Sequence, residues 1–247
     1  MDSTKDHYSY RIYADPEMAR TFEQTRFGGA IGEFLKRNQE SIVFSQLPPL
    51  AGWKVIDVGA GTGRFSLPFL EQGAGVTACD ASEEMMKVLR SKTDNARLQT
   101  LVVDAHQIPF PDRDFDCAVS FRILMHVIDW KKVLSELCRV SKDWVIIDFP
   151  PKRGFLRFTP VLHYLRKAFN PEKLQDYRIL QPEEVYAELK KNGFEIIRLD
   201  HGYFLPIAVH RFVKSLKFSQ GAEKFFSAVH WTERVGAPIT VLARRIK

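Results

Sequence analysis

Asp57 stands just ahead of Gly59, Gly61 and Gly63 in the stretch "VIDVGAGTGRF", and Asp80 and Asp104 close two further apolar runs, "GVTACD" and "LVVD". Alternating glycines leave the backbone bare, so a ligand can lie against it where a strand turns into a helix. The run is no P-loop, because it lacks the Gly-Lys-Ser/Thr ending that brings a lysine and a hydroxyl to phosphates and Mg²⁺. It also fails G-x-G-x-x-G, whose third glycine would fall at Arg64. A carboxylate beside the loop favours a cationic group over a pyrophosphate. Asp80 follows about twenty residues after Gly59, where a side chain can accept both hydroxyls of a ribose. Asp104 can take an exocyclic amine, with the backbone around Ala105 at the ring edge. The set describes adenosine joined to a positively charged group.

Such residues need a sheet to position them. Short β-rich runs alternate with helical patterns, which predicts a mostly parallel sheet covered by helices on both faces. Strands are expected at 53–58, 75–80, 98–104, 115–121, 144–149, 194–199 and 238–243. Helices are expected at 63–72, 82–93, 130–140 and 182–192, with Ser82 as an N-cap, Pro182 in a first turn and Gly193 as a stop. Residues 8–47 read as one or two helices, a lid ahead of a cofactor-binding core at 53–150. Residues 151–180 read as a cap insertion and 181–247 as the rest of the sheet. The whole, 1–247, is expected to form a single domain.

The composition, 45% apolar over 247 residues, suits one α/β domain with a full core. Cys79, Cys117 and Cys138 are odd in number and widely spaced, so neither a disulfide framework nor a zinc site is expected, and a reducing cytoplasm fits. The histidines lack metal-ligand spacing, so no metal is expected. No apolar run approaches the roughly 18–20 residues that span a bilayer. The net charge of +6 is uneven: residues 1–150 hold 18 Lys+Arg against 21 Asp+Glu, and the remainder 18 against 9. That surplus points to an anionic partner or to a solvated basic face.

Four blocks, "VIDVGAGTGRFSLPF", "VTACDASEEMMKVLR", "VVDAHQIPFPDRDFDCAVSFRILMHV" and "WKKVLSELCRVSKDWVIIDFP", occur in order over about a hundred residues. In them the chain resembles the class I S-adenosylmethionine-dependent methyltransferases, most closely the small-molecule branch that includes the ubiquinone- and menaquinone-biosynthesis enzymes. The resemblance implies a Rossmann-like seven-stranded sheet of order 3-2-1-4-5-7-6 with the last strand antiparallel, and S-adenosyl-L-methionine as cofactor. It implies that Asp57 orients the methionine amino end and that Gly59, Ala60, Gly61 and Gly63 face the cofactor. Asp80 would hold the ribose, Ala81 and Met85 would lie by the adenine with Ser82 or Ile108, Asp104 and Ala105 would meet its edge, and Ser120 and Phe121 would line the methionine side.

The expected reaction is methyl transfer to a small, lipophilic or anionic acceptor through O, C or N. An RNA methyltransferase or a non-catalytic S-adenosylmethionine-binding protein are the alternatives; nucleic acid is disfavoured because no RNA-binding appendage accompanies the basic residues. His126 in "FRILMHV" is the first candidate base, then Tyr13 and His163. The blend of aromatic and basic residues in "PPKRGFLRFTPVLHYLRKAF" and "GYFLPIAVHRFVKSLKF" suits a cap over a greasy pocket or a peripheral contact with an anionic membrane.

Overall fold

The computed structural model describes residues 13–153 and 178–246. Seven strands form one sheet, β1 (Lys54–Val58), β2 (Gly75–Asp80), β3 (Leu98–Val102), β4 (Phe115–Ser120), β5 (Ser141–Phe149), β6 (Phe194–Asp200) and β7 (Ile239–Arg245), in the order β3-β2-β1-β4-β5-β7-β6. β1, at its centre, is parallel to β2 and β4, and β7 runs antiparallel to both β5 and β6. Four of the five β1 residues are buried, as expected of a strand covered on both faces. The expected sheet is thus the observed one, in order and in direction.

Boundaries moved where local hydrogen bonds outweigh the apolar pattern. β3 ends at Val102, two residues early, because the Asp104 carboxylate accepts the His106 backbone N–H at 2.9 Å and turns the chain. β5 starts at Ser141, directly after the helix α5 (Trp130–Val140), and pairs with Phe115 across a bulge. The glycine loop delays its helix, α3, to Ser66–Glu71. The Ser82 hydroxyl caps α4 (Glu83–Arg90) by accepting from Met85 N–H at 3.2 Å, and α6 spans Pro182–Lys191.

The N-terminal segment is two helices, α1 (Pro16–Phe27) and α2 (Gly29–Phe44). They break at Gly28, where an added Cβ would lie 2.3 Å from the Gln24 carbonyl oxygen. α1 packs on α4: Ala19 is buried in one cluster with Ala60, Ala78, Met85, Met86 and Leu89, with Tyr13 and Phe22 at its margin.

Between β6 and β7 the sequence reading left a gap that the fold fills with three helices, α7 (Ile207–Val213), α8 (Leu216–Ala228) and α9 (Trp231–Val235). They fold back on α2, where the Tyr203 hydroxyl donates to the Leu35 carbonyl at 3.0 Å and Ile31, Leu35 and Tyr203 share a buried cluster. Residues 181–247 are therefore more than the end of the sheet. Among the described residues no helix is long and apolar enough to cross a membrane. Most of the cap insertion, with His163, lies outside the described residues, as do residues 8–12 of the expected lid.

Candidate active site

The carboxyl ends of β1, β2, β4 and β5 open into one cavity of about 1010 Å³, roofed by α1 and walled by α7 and the segment after β6. Loops at that edge of a parallel sheet are where α/β folds bind ligands, because the strand order reverses there. Here it reverses between β1 and β4.

The glycine loop is closed on itself. Gly59 and Ala60 N–H both donate to the Cys79 carbonyl, at 2.7 and 3.0 Å, Gly61 N–H donates to Asp80 Oδ2 at 2.9 Å, and Gly63 N–H to the Ala60 carbonyl at 2.9 Å. Donors used in this way are withheld from a phosphate, which agrees with the sequence argument against a pyrophosphate. The glycines differ in purpose. An added Cβ at Gly59 would meet Ile123 Cγ1 at 2.0 Å and one at Gly63 would meet Leu89 Cδ1 at 2.2 Å, so these two serve packing. Gly61, at φ 55°, has nothing within 4 Å of such a Cβ and lines the cavity.

The Asp80 carboxylate is fixed by two backbone donors, Gly61 N–H on Oδ2 and Ser82 N–H on Oδ1, both at 2.9 Å. Each oxygen keeps a lone pair for a further donor such as a ribose hydroxyl. Burial raises the Asp80 pKa, and these backbone bonds oppose the rise. Asp57 is 2% exposed at the cavity floor and accepts the Ser66 hydroxyl at 2.6 Å. Burial pushes it up to about 7, against the Ser66 bond and with the help of Asp80. A bound cation would return both to the ionised form.

Ala60, Ala81, Met85, Ala105 and Phe121 line the cavity with these carboxylates. Phe121 stacks on Phe65, centroids 3.6 Å apart. Of the adenine-side alternatives, Ser82 lines the cavity, while Ile108 is buried in the main core. Asp104, Ser120 and Gly63 are not in the lining: the Asp104 carboxylate is bonded to the His106 backbone and ring Nδ1, and the Ser120 hydroxyl donates to the Val58 carbonyl at 2.8 Å.

His126 and Tyr13 meet in the cavity as a T-shaped pair, ring centroids 6.2 Å apart. His126 is 8% exposed. Tyr13 is anchored through its carbonyl, which accepts the Ser82 hydroxyl at 2.6 Å. Burial raises the pKa of the Tyr13 phenol, with Arg26 the main opposing influence. Among the described residues no cluster of His, Cys, Asp and Glu suits a metal.

Four charged lining residues escaped the sequence reading: Arg64, Arg122, Asp148 and Arg211. Arg122 and Asp148 lie at the ends of strands whose carboxyl ends form the site, and Arg64 closes the glycine loop, a signal that could have found them. Arg211 sits on α7, within the aromatic and basic stretch "GYFLPIAVHRFVKSLKF".

This sheet, with its reversed last strand and a glycine loop beside acidic strand ends, has the Rossmann-like fold found in methyltransferases, and residues 56–146 match the methyltransferase domain family. Over 106 residues the chain is 36% identical to the demethylmenaquinone methyltransferase of Paenarthrobacter aurescens (strain TC1), covering 43% of this chain and 41% of that protein. Over 95 residues it is 35% identical to a phosphatidylethanolamine N-methyltransferase of Cereibacter sphaeroides, covering 37% and 46%. The chain thus spans about half the length of the curated relatives it matches. Its fold is like that of magnesium protoporphyrin IX methyltransferase from Synechocystis PCC 6803, solved with bound S-adenosylhomocysteine: TM-score 0.63 and 20% identity over 96% of this chain and 91% of that one.

Proposed function

We propose that this chain transfers the methyl group of S-adenosylmethionine to a small lipophilic acceptor. The observation that carries the reading is the Asp80 carboxylate, pinned by Gly61 and Ser82 N–H at the end of β2, beside a Gly61 that faces open space. When bound, the cofactor supplies a sulfonium-activated methyl group. Asp80 is placed for its ribose hydroxyls, Asp57 for its ammonium end, Ala81, Ser82, Met85 and Ala105 for the adenine, and Phe121 for the methionine side chain. Closed donors and a bare Gly61 fit such a cation. What remains for the protein is to align the acceptor in line with the donor bond, exclude water and, for an acceptor that loses a proton, take it up. His126 is the proposed proton acceptor and Tyr13 a positioning donor. Residues 13–27, which lie across the loop, α4 and the cavity, act as the lid.

A lipophilic acceptor is supported by the aromatic lining, which includes Phe22, Phe27, Phe65, Phe121 and Phe204. Demethylmenaquinone and phosphatidylethanolamine, named for the relatives, are both lipids. At the cavity mouth Phe212 is 87% exposed, with Phe225 and Trp231 on the neighbouring helices and Lys214, Lys217 and Lys224 among them. We propose that this face meets an anionic membrane and takes the acceptor from it. The test is transfer of tritium from S-[methyl-³H]adenosylmethionine into cell extracts, with parallel sedimentation on anionic and neutral liposomes. Label in the lipid fraction and preference for anionic liposomes support the reading; label in RNA would overturn it.

A further inference from the structure

The cavity holds more positive charge than the cofactor needs. Four guanidinium-bearing residues line it, Arg26 on α1, Arg64 after the glycine loop, Arg122 after β4 and Arg211 on α7, against three carboxylates, Asp57, Asp80 and Asp148. S-adenosylmethionine brings a sulfonium, an ammonium and one carboxylate, a net single positive charge. Even with all three aspartates ionised, the loaded cavity keeps a surplus of two positive charges.

Among the described residues, Arg64, Arg122 and Arg211 form no side-chain ion pair with a carboxylate. Arg64 donates Nη2 to the uncharged Oε1 of Gln39 and lies over the Phe27 ring at 4.2 Å, while its Nε is enclosed with no hydrogen-bond partner among the described residues. Arg122 has φ 63°, a left-handed conformation that is strained for a residue with a Cβ and that collects at binding sites. Its backbone N–H donates to Asp148 Oδ1 at 2.5 Å, and the other Asp148 oxygen, Oδ2, is buried without a partner. Arg211 reaches from α7 to donate to the Arg26 carbonyl, and so ties the second wall to the lid. The groups feel each other: burial and then Arg122 push Arg64 down to about 10, and burial, Arg122 and Arg26 lower Arg211. Asp148 offsets part of this field and leaves the rest.

We infer that the acceptor carries an anionic group, a carboxylate or phosphate, held by Arg64 at the end of the glycine loop, Arg122 after β4 and Arg211 on α7. Guanidinium forks match both groups in shape and charge, and partly enclosed they bind more strongly than in open water. The apolar part of the acceptor then lies along the aromatic lining. This assignment rests on the methyl-transfer reading.

The experiment is calorimetric titration of octanoate, octyl phosphate and octanol into the protein saturated with S-adenosylhomocysteine. Octanoate or octyl phosphate is expected to bind at least tenfold more tightly than octanol, and the stronger of the two names the anion. Arg64→Met should remove that preference while changing S-adenosylhomocysteine affinity less than twofold; Arg211→Met, at an exposed position, should reduce the preference severalfold should Arg64→Met fail to fold. Equal binding of the three probes would overturn the assignment and leave the methyl-transfer reading standing. So would a tenfold loss of S-adenosylhomocysteine affinity in Arg64→Met with the probe preference intact, which would give that guanidinium to the cofactor's carboxylate. Absence of S-adenosylhomocysteine binding by the unmodified protein would overturn both.

Discussion

On the wall built by β1, β2 and the glycine loop, the carboxylates and most loop donors are closed by the protein itself, the Thr62 hydroxyl excepted: Asp80 takes two backbone N–H groups, Asp57 takes the Ser66 hydroxyl, and loop donors go to Cys79 and Ala60 carbonyls. Toward the ends of β4 and β5 and toward α7, Asp148 Oδ2 on β5 and Arg64 Nε, just past the glycines, are enclosed with no hydrogen-bond partner among the described residues. An enclosed polar atom without a partner costs about 1–3 kcal/mol, so the two carboxylates beside the glycines are settled as folded, whereas the Arg64–Asp148 side keeps groups that a ligand can complete. The first wall belongs to a ligand of fixed structure. The second can vary with the acceptor while the fold stays the same.

Four predictions press on this division. The largest effect is expected where the walls meet: His126→Ala should lower kcat about 100-fold or more, the usual worth of a positioned proton acceptor, with cofactor affinity unchanged in calorimetry. An unchanged kcat with the true acceptor removes His126 from the chemistry. Next, on the closed wall, Asp80→Ala should weaken S-adenosylmethionine by about 1.5–3 kcal/mol, roughly 10- to 150-fold in Kd, because two backbone donors lose their acceptor along with the ribose.

The third concerns pH. Burial raises Asp57, so in the ligand-free fold its contribution to stability is complete below the ordinary carboxylate range and is lost as pH rises through about 7. A bound ammonium reverses the preference and demands the ionised form. Cofactor affinity should therefore rise from pH 6 to pH 8, with Kd about tenfold weaker at pH 6 because only about a tenth of Asp57 is ionised there. Asp57→Asn should flatten this profile. The smallest effect is at the lid, where Glu23→Ala removes the 2.8 Å ion pair with Lys92 that ties α1 beside the glycine loop. A part-exposed pair is worth about 0.2–1 kcal/mol, so a loss of about twofold in cofactor affinity is expected by titration, and none in kcat.

The closed wall was legible in the sequence and the open one largely was not. Alternating glycines, an acid at the end of "GVTACD" and apolar runs at regular spacing are local signals, and they were enough to place seven strands, while the order of the strands came from the family resemblance. The acceptor wall is assembled at long range. Tyr203 meets Leu35 and Arg211 meets Arg26 across more than 160 residues, and no periodicity announces such contacts. α7 and α9 are only seven and five residues long, and no clear stop or start signal separates them from the 13-residue α8 between them. Arg122 was visible at a strand end and Arg64 at the close of the glycine loop, yet beside a glycine motif Arg64 read only as a missing third glycine. Asp104 went the other way: a strand-end acid by pattern, it bonds to His106 and turns the chain out of β3.

The central claim is that the closed wall binds S-adenosylmethionine, and calorimetric titration of that compound, of S-adenosylhomocysteine and of NAD into the unmodified protein tests it most directly. The account predicts saturable binding of the first two with Kd of the order of micromolar, about −8 kcal/mol, and no measurable heat from NAD, whose pyrophosphate finds the loop's donors already used. Tight binding of NAD, or none of S-adenosylmethionine, would contradict it.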